Sequence, residues 1–268
     1  MAKNSELNRL LEPVIATSRK AGEKILEIYA QDFRVDIKSD DSPLTEADMA
    51  SHHCLIARLD KLQPRFPILS EESSEISYTE RKSWEYYWLI DPLDGTKEFI
   101  KRNGEFTVNV ALIHINKPVL GVVYVPVTNE CYFAATGHGA FKQTGTTEPK
   151  KISVRHQVPE PLTVVGSRSH KTGDLADYLA RLGQHELKSV GSSLKFCLVA
   201  EGEADLYPRM GPTCEWDTAA AQCVVEQAGG RVTEINGRPL QYNAKESYLN
   251  PYFLVFGDKT KDWSQYTD

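Results

Sequence analysis

Apolar residues recur at helical spacing at the start of the chain. Leu7, Leu10, Leu11, Val14 and Ile15, then Ile25 and Leu26, with Ser18 as a small spacer, fall three or four apart while charges are scattered between them. This pattern predicts an amphipathic helix, and residues 45 to 62 predict a second one. Trp84 to Ile90, dense in aromatic and large apolar residues, reads as a buried strand. From Phe106 to Phe141 the runs FTVNVALIHI, VLGVVYVPV, ECYFAA and GAF are strand-like and separated by turn residues, which predicts an antiparallel meander.

Beyond the polar stretch KQTGTTEPK the rhythm changes to an alternation of strand and helix. LTVVG precedes DLADYLARLG, ELKSV precedes SSLKFCLVAEG, and ADLYP precedes WDTAAAQCVVEQAGG; RVTEI and YFLVFG close the series. Gly229-Gly230 sits where a helix C-cap belongs, and Asn236-Gly237 suits a tight hairpin turn. The expected division is an α+β half over residues 1–148 and an α/β half over 149–268.

Composition narrows the function classes. A chain of 268 residues with 41% hydrophobic and 25% charged residues is neither disordered nor a fibrous repeat. Its net charge of −6 argues against gripping a nucleic-acid polymer through the phosphates. Five cysteines (Cys54, Cys131, Cys197, Cys214, Cys223), with no Cys-x-x-Cys pair, suggest neither a disulfide framework nor a thiolate zinc site and fit a reducing cytoplasm. No apolar run approaches the roughly 18 residues of a membrane-spanning helix. Peripheral attachment at the cytoplasmic face of an inner membrane stays open.

The chemistry concentrates in carboxylates. Asp91-Pro92-Leu93-Asp94-Gly95-Thr96 directly follows the Trp84–Ile90 run, so both acids emerge where a strand ends, a common place for ligands in α/β sheets. Gly95 permits close backbone approach, and the amides of Gly95 and Thr96 can face an anion. A turn with a helix cap explains the same six residues equally well. Glu71-Glu72 also follow a short apolar run, and Asp217 stands at the start of an otherwise apolar helix, where simple capping is the commoner role. Together Glu71, Asp91, Asp94 and Asp217 make a hard, all-oxygen ligand set suited to magnesium and phosphates; no histidine or thiolate lies in these motifs, which disfavours zinc. Thr45-x-x-Asp48 has the form of a capping box, which is a sufficient local reason for Asp48, although a carboxylate there also suits orienting a hydroxyl. Phosphatases that form an aspartyl-phosphate carry Asp-x-Asp-Gly-Thr; here Pro92 stands two before Asp94, and the wider spacing suits metal coordination better.

Glu71-Glu72-Ser73, the run WLIDPLDGT and Trp216-Asp217-Thr218-Ala219-Ala220 resemble, in order, the three signatures of the inositol monophosphatase superfamily of lithium-sensitive, magnesium-dependent phosphomonoesterases. DPLDGTKEFIKRNGEFTVN, the stretch from Gly166 to His170, GSSLKFCLVAEG and LYPRMGPTCEWDTAA are similar to its bacterial 3′(2′),5′-bisphosphate nucleotidase branch. The resemblance implies a layered αβαβα sandwich and removal of the 3′-phosphate from adenosine 3′,5′-bisphosphate (PAP), and from 3′-phosphoadenylyl sulfate, in sulfate assimilation. It also implies two or three Mg²⁺ ions. Glu71, Asp91 and the Leu93 carbonyl would ligate the first, Asp91, Asp94 and Asp217 the second, with a weaker third near Glu71 and Glu72. Asp48, Glu71 and Thr96 would be catalytic, the Asp48–Thr96 pair orienting the attacking water. Substrate would meet Glu71, Leu93, Asp94, Gly95, Thr96 and Asp217, together with Ser167, Arg168, His170, Ser192, Ser193, Lys195 and Arg209. Read without the resemblance, His170 is a loop histidine and Lys195 a solvated helix cation. The runner-up is an inositol or sugar phosphatase, since fold and metal do not fix substrate; a regulatory protein that keeps the fold without catalysis is the alternative of another class.

Overall fold

The computed structural model describes residues 4–37, 43–167 and 173–267. Helix α1 (Asn4–Tyr29) buries Leu7, Leu10, Val14, Ala21 and Ile25 on one face, as the spacing requires. Ser18 is tolerated on that face because its hydroxyl donates back to the Val14 carbonyl at 3.0 Å. An antiparallel pair, β1 (Val35–Ile37) and β2 (Pro43–Thr45), leads into α2 (Glu46–Leu59). Then come β3 (Ile68–Ser70), α3 (Tyr78–Arg81), β4 (Tyr86–Asp94) and the short α4 (Thr96–Ile100). The strand expected over Trp84–Ile90 starts two residues later and runs on through the acidic motif to Asp94.

The meander is β5 (Thr107–His114), β6 (Lys117–Val125), β7 (Glu130–Ala135) and β8 (Gly139–Thr144), each antiparallel to the next. The polar stretch after Phe141 does not leave this sheet. It turns into β9 (Lys150–Ile152), which pairs with β8 and completes a seven-stranded sheet in the order β3 to β9. The second half alternates as expected: β10 (Leu162–Ser167), α5 (Gly173–Leu182), β11 (His185–Val190), α6 (Leu194–Ala200), β12 (Leu206–Arg209), α7 (Ala219–Gln227), β13 (Arg231–Glu234) and β14 (Phe253–Phe256). Its five strands order as β11-β10-β12-β14-β13, with β10 parallel to both neighbours and β14 antiparallel to both of its own.

Strand alternation sorts the core into layers. Val108, Val110 and Leu112 of β5, with Leu120 and Val122 of β6, pack against α1 and α2. Ala111, Ile113 and Val123 face the other way, onto a layer containing Cys197 and Ala200 of α6 and Ala219 to Val225 of α7. That layer rests on Tyr207, Phe253 and Val255 of the second sheet, while Leu206, Leu254 and Phe256 point outward to Tyr178 of α5 and Trp263. The result is the expected αβαβα sandwich. Gly121 permits the close middle contact, since a Cβ there would lie 2.2 Å from the Ala220 carbonyl oxygen.

The helix α7 ends as its glycine pair predicts, with Gly230 N–H donating to Val225 O and Gly229 N–H to Glu226 O. The Asn236-Gly237 turn is tight as expected, with Gly237 N–H donating to the Glu234 carbonyl at 2.9 Å and Glu234 N–H to that of Arg238 at 2.8 Å, but it does not lead straight into β14. Beyond it the chain makes one bridge, between Thr233 and Pro239, and residues 240–252 then make a long excursion before β14 pairs with β13. All five cysteines are free thiols. Among the described residues no helix is long and apolar enough to cross a membrane.

Candidate active site

Parallel pairing of β3 and β4 places their C-terminal ends side by side, with Ser70 opposite Ile90, so Glu71 and Asp91 leave the sheet at the same edge. Asp91 and Asp94 would point to opposite faces of a regular strand. Against β5, however, Asp91 pairs with Asn109 and Asp94 with Thr107, three residues on β4 against two on its partner. This bulge restores the parity and turns both acids to one side. Gly95 follows with φ of +94°, and a Cβ there would press within 3.0 Å of the Glu105 carbonyl oxygen.

Asp217 ends a 3₁₀ turn (Glu215–Asp217) just before α7. It does not cap that helix. Its Oδ2 accepts from the Cys214 backbone N–H at 2.9 Å, folding the carboxylate back toward the first half. One carboxylate oxygen from each of Glu71, Asp91 and Asp217 then lies within 4.8 Å of the others. Asp94 lies beside the group, near enough for its charge to act on Asp91 and Asp217: its Oδ2 accepts from the Ser193 N–H at 2.6 Å, sits 2.8 Å from the Ser193 hydroxyl and is 3.4 Å from Asn109 Nδ2. Ser193 Oγ is also 2.7 Å from the Asp217 carbonyl oxygen, so this one hydroxyl stands between acids from both halves.

The electrostatics are those of a site suited to holding positive charge. Burial, then the charges of Glu71, Asp94 and Asp217, push the Asp91 carboxyl well above its ordinary range. Asp217 is pushed up likewise by burial, Asp94 and Glu71. Asp94 is raised by burial, against the opposing pull of Lys195 and the Ser193 hydrogen bonds. Clustered carboxylates whose burial and mutual repulsion disfavour their charged forms fit a hard divalent cation, which relieves that repulsion.

Asp48 fills both roles its sequence left open. Its Oδ2 accepts from the Thr45 N–H at 2.7 Å and the Thr45 hydroxyl at 2.6 Å, closing the capping box, while Oδ1 accepts from the Thr96 hydroxyl at 3.3 Å. Asp48 is buried, so its carboxylate is fixed by one helix start and aimed at another.

A cleft of about 440 Å³ opens over these groups. Glu71, Asp94, Gly95 and Thr96 line it from the first half, and Ser167, Ser192, Ser193, Lys195, Arg209 and Asp217 from the second. Asp48, Asp91 and Leu93 are buried rather than part of its lining. Arg168 and His170 lie outside the described residues.

One expectation changes in character. Lys195 is buried, not solvated: Nζ donates to the Ser192 carbonyl at 2.6 Å, lies 5.5 Å from the Tyr207 ring centre, and has its pKa pushed down to about 8, chiefly by burial. Arg209 is buried as well and donates to the carbonyls of Gly211 (3.2 Å) and Pro212 (2.5 Å). Ser192 holds a left-handed backbone at φ of +46° although it is not glycine, and its hydroxyl is buried in the cleft wall without a hydrogen-bond partner. Sequence reasoning missed Asn109 as a partner of Asp94 and Leu249 as a cleft wall, while Trp216 lines the cleft as a core or pocket-wall residue should. Asn109 stood within the similar stretch, but no spacing rule ties it to an acid fifteen residues earlier.

The sequence model of the inositol monophosphatase family matches residues 6–259. The chain is 51% identical over 248 residues to the 3′(2′),5′-bisphosphate nucleotidase CysQ of Salmonella typhimurium, covering 92% of this chain and 99% of that one. Among solved structures it is similar to CysQ from Bacteroides thetaiotaomicron, a bacterial member of the inositol monophosphatase family, at 44% identity and a TM-score of 0.83 over 96% of this chain and 99% of that chain. Inositol monophosphatase from Anabaena shares the fold, with a TM-score of 0.77 at 24% identity over 97% of this chain and 96% of that chain.

Proposed function

The chain belongs to the inositol monophosphatase family, and from that premise we propose that it is a magnesium-dependent 3′(2′),5′-bisphosphate nucleotidase, converting PAP to AMP and phosphate. 3′-Phosphoadenylyl sulfate, which carries the same 3′-phosphate, is the second substrate, and the reaction serves sulfate assimilation. The observation that carries this reading is the shared cleft: clustered, mutually repelling carboxylates line it together with two buried cations, Lys195 and Arg209. Such a site suits a cation and a phosphate ester together better than either alone.

Glu71, Asp91 and the Leu93 carbonyl would hold one magnesium ion, Asp91, Asp94 and Asp217 a second, and the Glu71–Glu72 turn a weaker third. Bound there, magnesium supplies Lewis acidity, making water a stronger nucleophile and steadying charge on the leaving oxygen. The Thr96 hydroxyl donates a hydrogen bond to Asp48, which leaves its oxygen lone pairs to accept one from the attacking water. The carboxylate cannot swing away, because Thr45 pins its other oxygen. The amides of Gly95 and Thr96 receive the phosphate oxygens at the cleft floor. Water oxygen bonds to phosphorus as the bond to the ribose 3′ oxygen breaks, and the departing oxygen gains a proton. No side chain becomes phosphorylated in this scheme. Ser167, Ser192, Lys195 and Arg209, on the opposite wall, face the rest of the nucleotide.

A side-by-side measurement of phosphate release from PAP, AMP and inositol 1-phosphate, with Mg²⁺ and with excess chelator, tests the reading. PAP should be the best substrate and chelator should abolish turnover. A preference for inositol 1-phosphate would overturn the nucleotide assignment, and unchanged activity in chelator would overturn the mechanism.

A further inference from the structure

Glu71 and Asp217 stand on 3₁₀ turns of three residues each, too short to fix a carboxylate by themselves. The long excursion between β13 and β14 touches both turns. From it, the Tyr248 hydroxyl lies 2.8 Å from the carbonyl oxygen of Ser74 and 3.2 Å from that of Ile76, just past the Glu71 turn. The same residue's backbone carbonyl accepts from the Glu215 N–H at 2.9 Å, and its ring packs 5.1 Å from Trp216. Asn243 N–H donates to Glu215 Oε2 at 2.8 Å, and Asn250 Nδ2 donates to the Cys214 carbonyl at 2.8 Å. The excursion therefore grips the Asp217 turn at three points and the Glu71 turn at one residue.

Arg81, at the end of α3, holds the excursion itself. It is 1% exposed, and its guanidinium lies between the rings of Tyr78 (4.9 Å) and Tyr248 (4.3 Å). It donates to Asn243 Oδ1 and to the carbonyls of Lys245 and Glu246, while Asn243 Nδ2 donates to the Arg81 carbonyl at 2.7 Å. Glu215, fully buried beside Asn243, feels the guanidinium's charge, although burial still raises its pKa to about 7. A buried guanidinium is costly unless paired and hydrogen-bonded, and these contacts also join chain segments that do not otherwise adjoin in sequence.

We propose that Arg81 is a positioning residue: by locking residues 243–250 it clamps the Glu71 turn to the Asp217 turn and so sets the magnesium affinity of the site. The inference rests on the reading that Glu71 and Asp217 hold magnesium. Lysine keeps the charge at position 81 but not the planar fork, and Tyr248→Phe removes only the hydroxyl that reaches Ser74 and Ile76.

The test is titration of Mg²⁺ alone into the chelator-stripped full chain by calorimetry, for the unaltered protein, Arg81→Lys, Tyr248→Phe and Tyr178→Phe. The last is a control, since its buried hydroxyl donates to the Trp263 carbonyl in the outer layer. Arg81→Lys and Tyr248→Phe should weaken Mg²⁺ binding about tenfold. At saturating Mg²⁺ the KM for PAP should be unchanged and kcat should recover, while the control binds Mg²⁺ as the unaltered chain does. Normal Mg²⁺ affinity in Tyr248→Phe and in folded Arg81→Lys would overturn the proposal, as would equal weakening in the control. No Mg²⁺ binding by the unaltered chain would instead overturn the metal assignment, and this inference with it.

Discussion

Asp91 and Asp94 belong to β4, a strand buried along nearly its whole length and paired on both sides within the seven-stranded sheet. Across the cleft, Asp217, Lys195 and Arg209 are held mostly by individual bonds to backbone groups: Asp217 by Cys214 N–H, Lys195 by the Ser192 carbonyl, Arg209 by Gly211 and Pro212. The first wall inherits its geometry from a strand ladder and two packed layers. The second wall draws on the end of β12 and on α6, and adds single bonds that can be lost without unmaking the second sheet. The proposed metal site needs both walls: Asp91 and Asp94 come from the strand, and Asp217 from the wall held by individual contacts.

Neutralising a ligand on each wall gives the sharpest test. Asp94→Asn and Asp217→Asn should each lower PAP turnover by at least ~10³-fold, the scale expected when charge stabilisation of a transition state is lost. If Asp217→Asn instead retained near-normal turnover at saturating Mg²⁺ in a phosphate-release assay, the second wall would hold no metal and the comparison would fail. Thr96→Val comes next: without the hydroxyl that donates to Asp48, kcat should fall about 10²-fold with little change in KM for PAP. A rise in KM alone would move Thr96 from water positioning to substrate binding.

The rigid wall was also the more legible in sequence. Alternation in FTVNVALIHI and VLGVVYVPV predicts two buried faces, and β5 and β6 have them. The helix starting after Thr45 was readable from its capping box. What the pattern cannot carry is parity and distance. Nothing in Asp91-Pro92-Leu93-Asp94 announces the bulge that turns both acids to one side, since that depends on pairing with Asn109 and Thr107. Lys195, flanked by Leu194 and Phe196, reads as a solvated cation because burial of a short helix is a property of the layers around it. The Asn236-Gly237 turn likewise predicts a hairpin, and only the folded chain shows the excursion that reaches back to the site.

Ser193 joins the two walls and measures how independent they are. Its N–H and hydroxyl meet Asp94, its hydroxyl also meets the Asp217 carbonyl, and Asn109 Nδ2 donates to it at 2.8 Å. Ser193→Ala keeps the N–H bond and removes the hydroxyl, so a loss of 10- to 100-fold in kcat/KM is expected, from mispositioned ligands rather than lost ones. Raising Mg²⁺ should recover part of it. Full activity at low Mg²⁺ would mean that the walls are set separately.

The smallest effect belongs to Lys195 and separates recognition from stability. Burial lowers its pKa from the ordinary 10.5 to about 8, partly against the pull of Asp94. Below pH 8 the ammonium is charged and favours a phosphorylated ligand; as pH rises through 8 that attraction fades, so kcat/KM for PAP should decline a few-fold while kcat changes less. Stability should move the other way. Between pH 8 and 10.5 the unfolded chain binds the lysine proton and the folded chain does not, so Lys195 makes the ligand-free protein more stable as pH rises across that window. Lys195→Met removes both trends at once: its kcat/KM should be lower at pH 7 but lack the decline above 8, and its melting temperature should lack the alkaline gain. A variant that kept the alkaline decline in kcat/KM would assign it to another group and leave Lys195 as packing for Tyr207 alone.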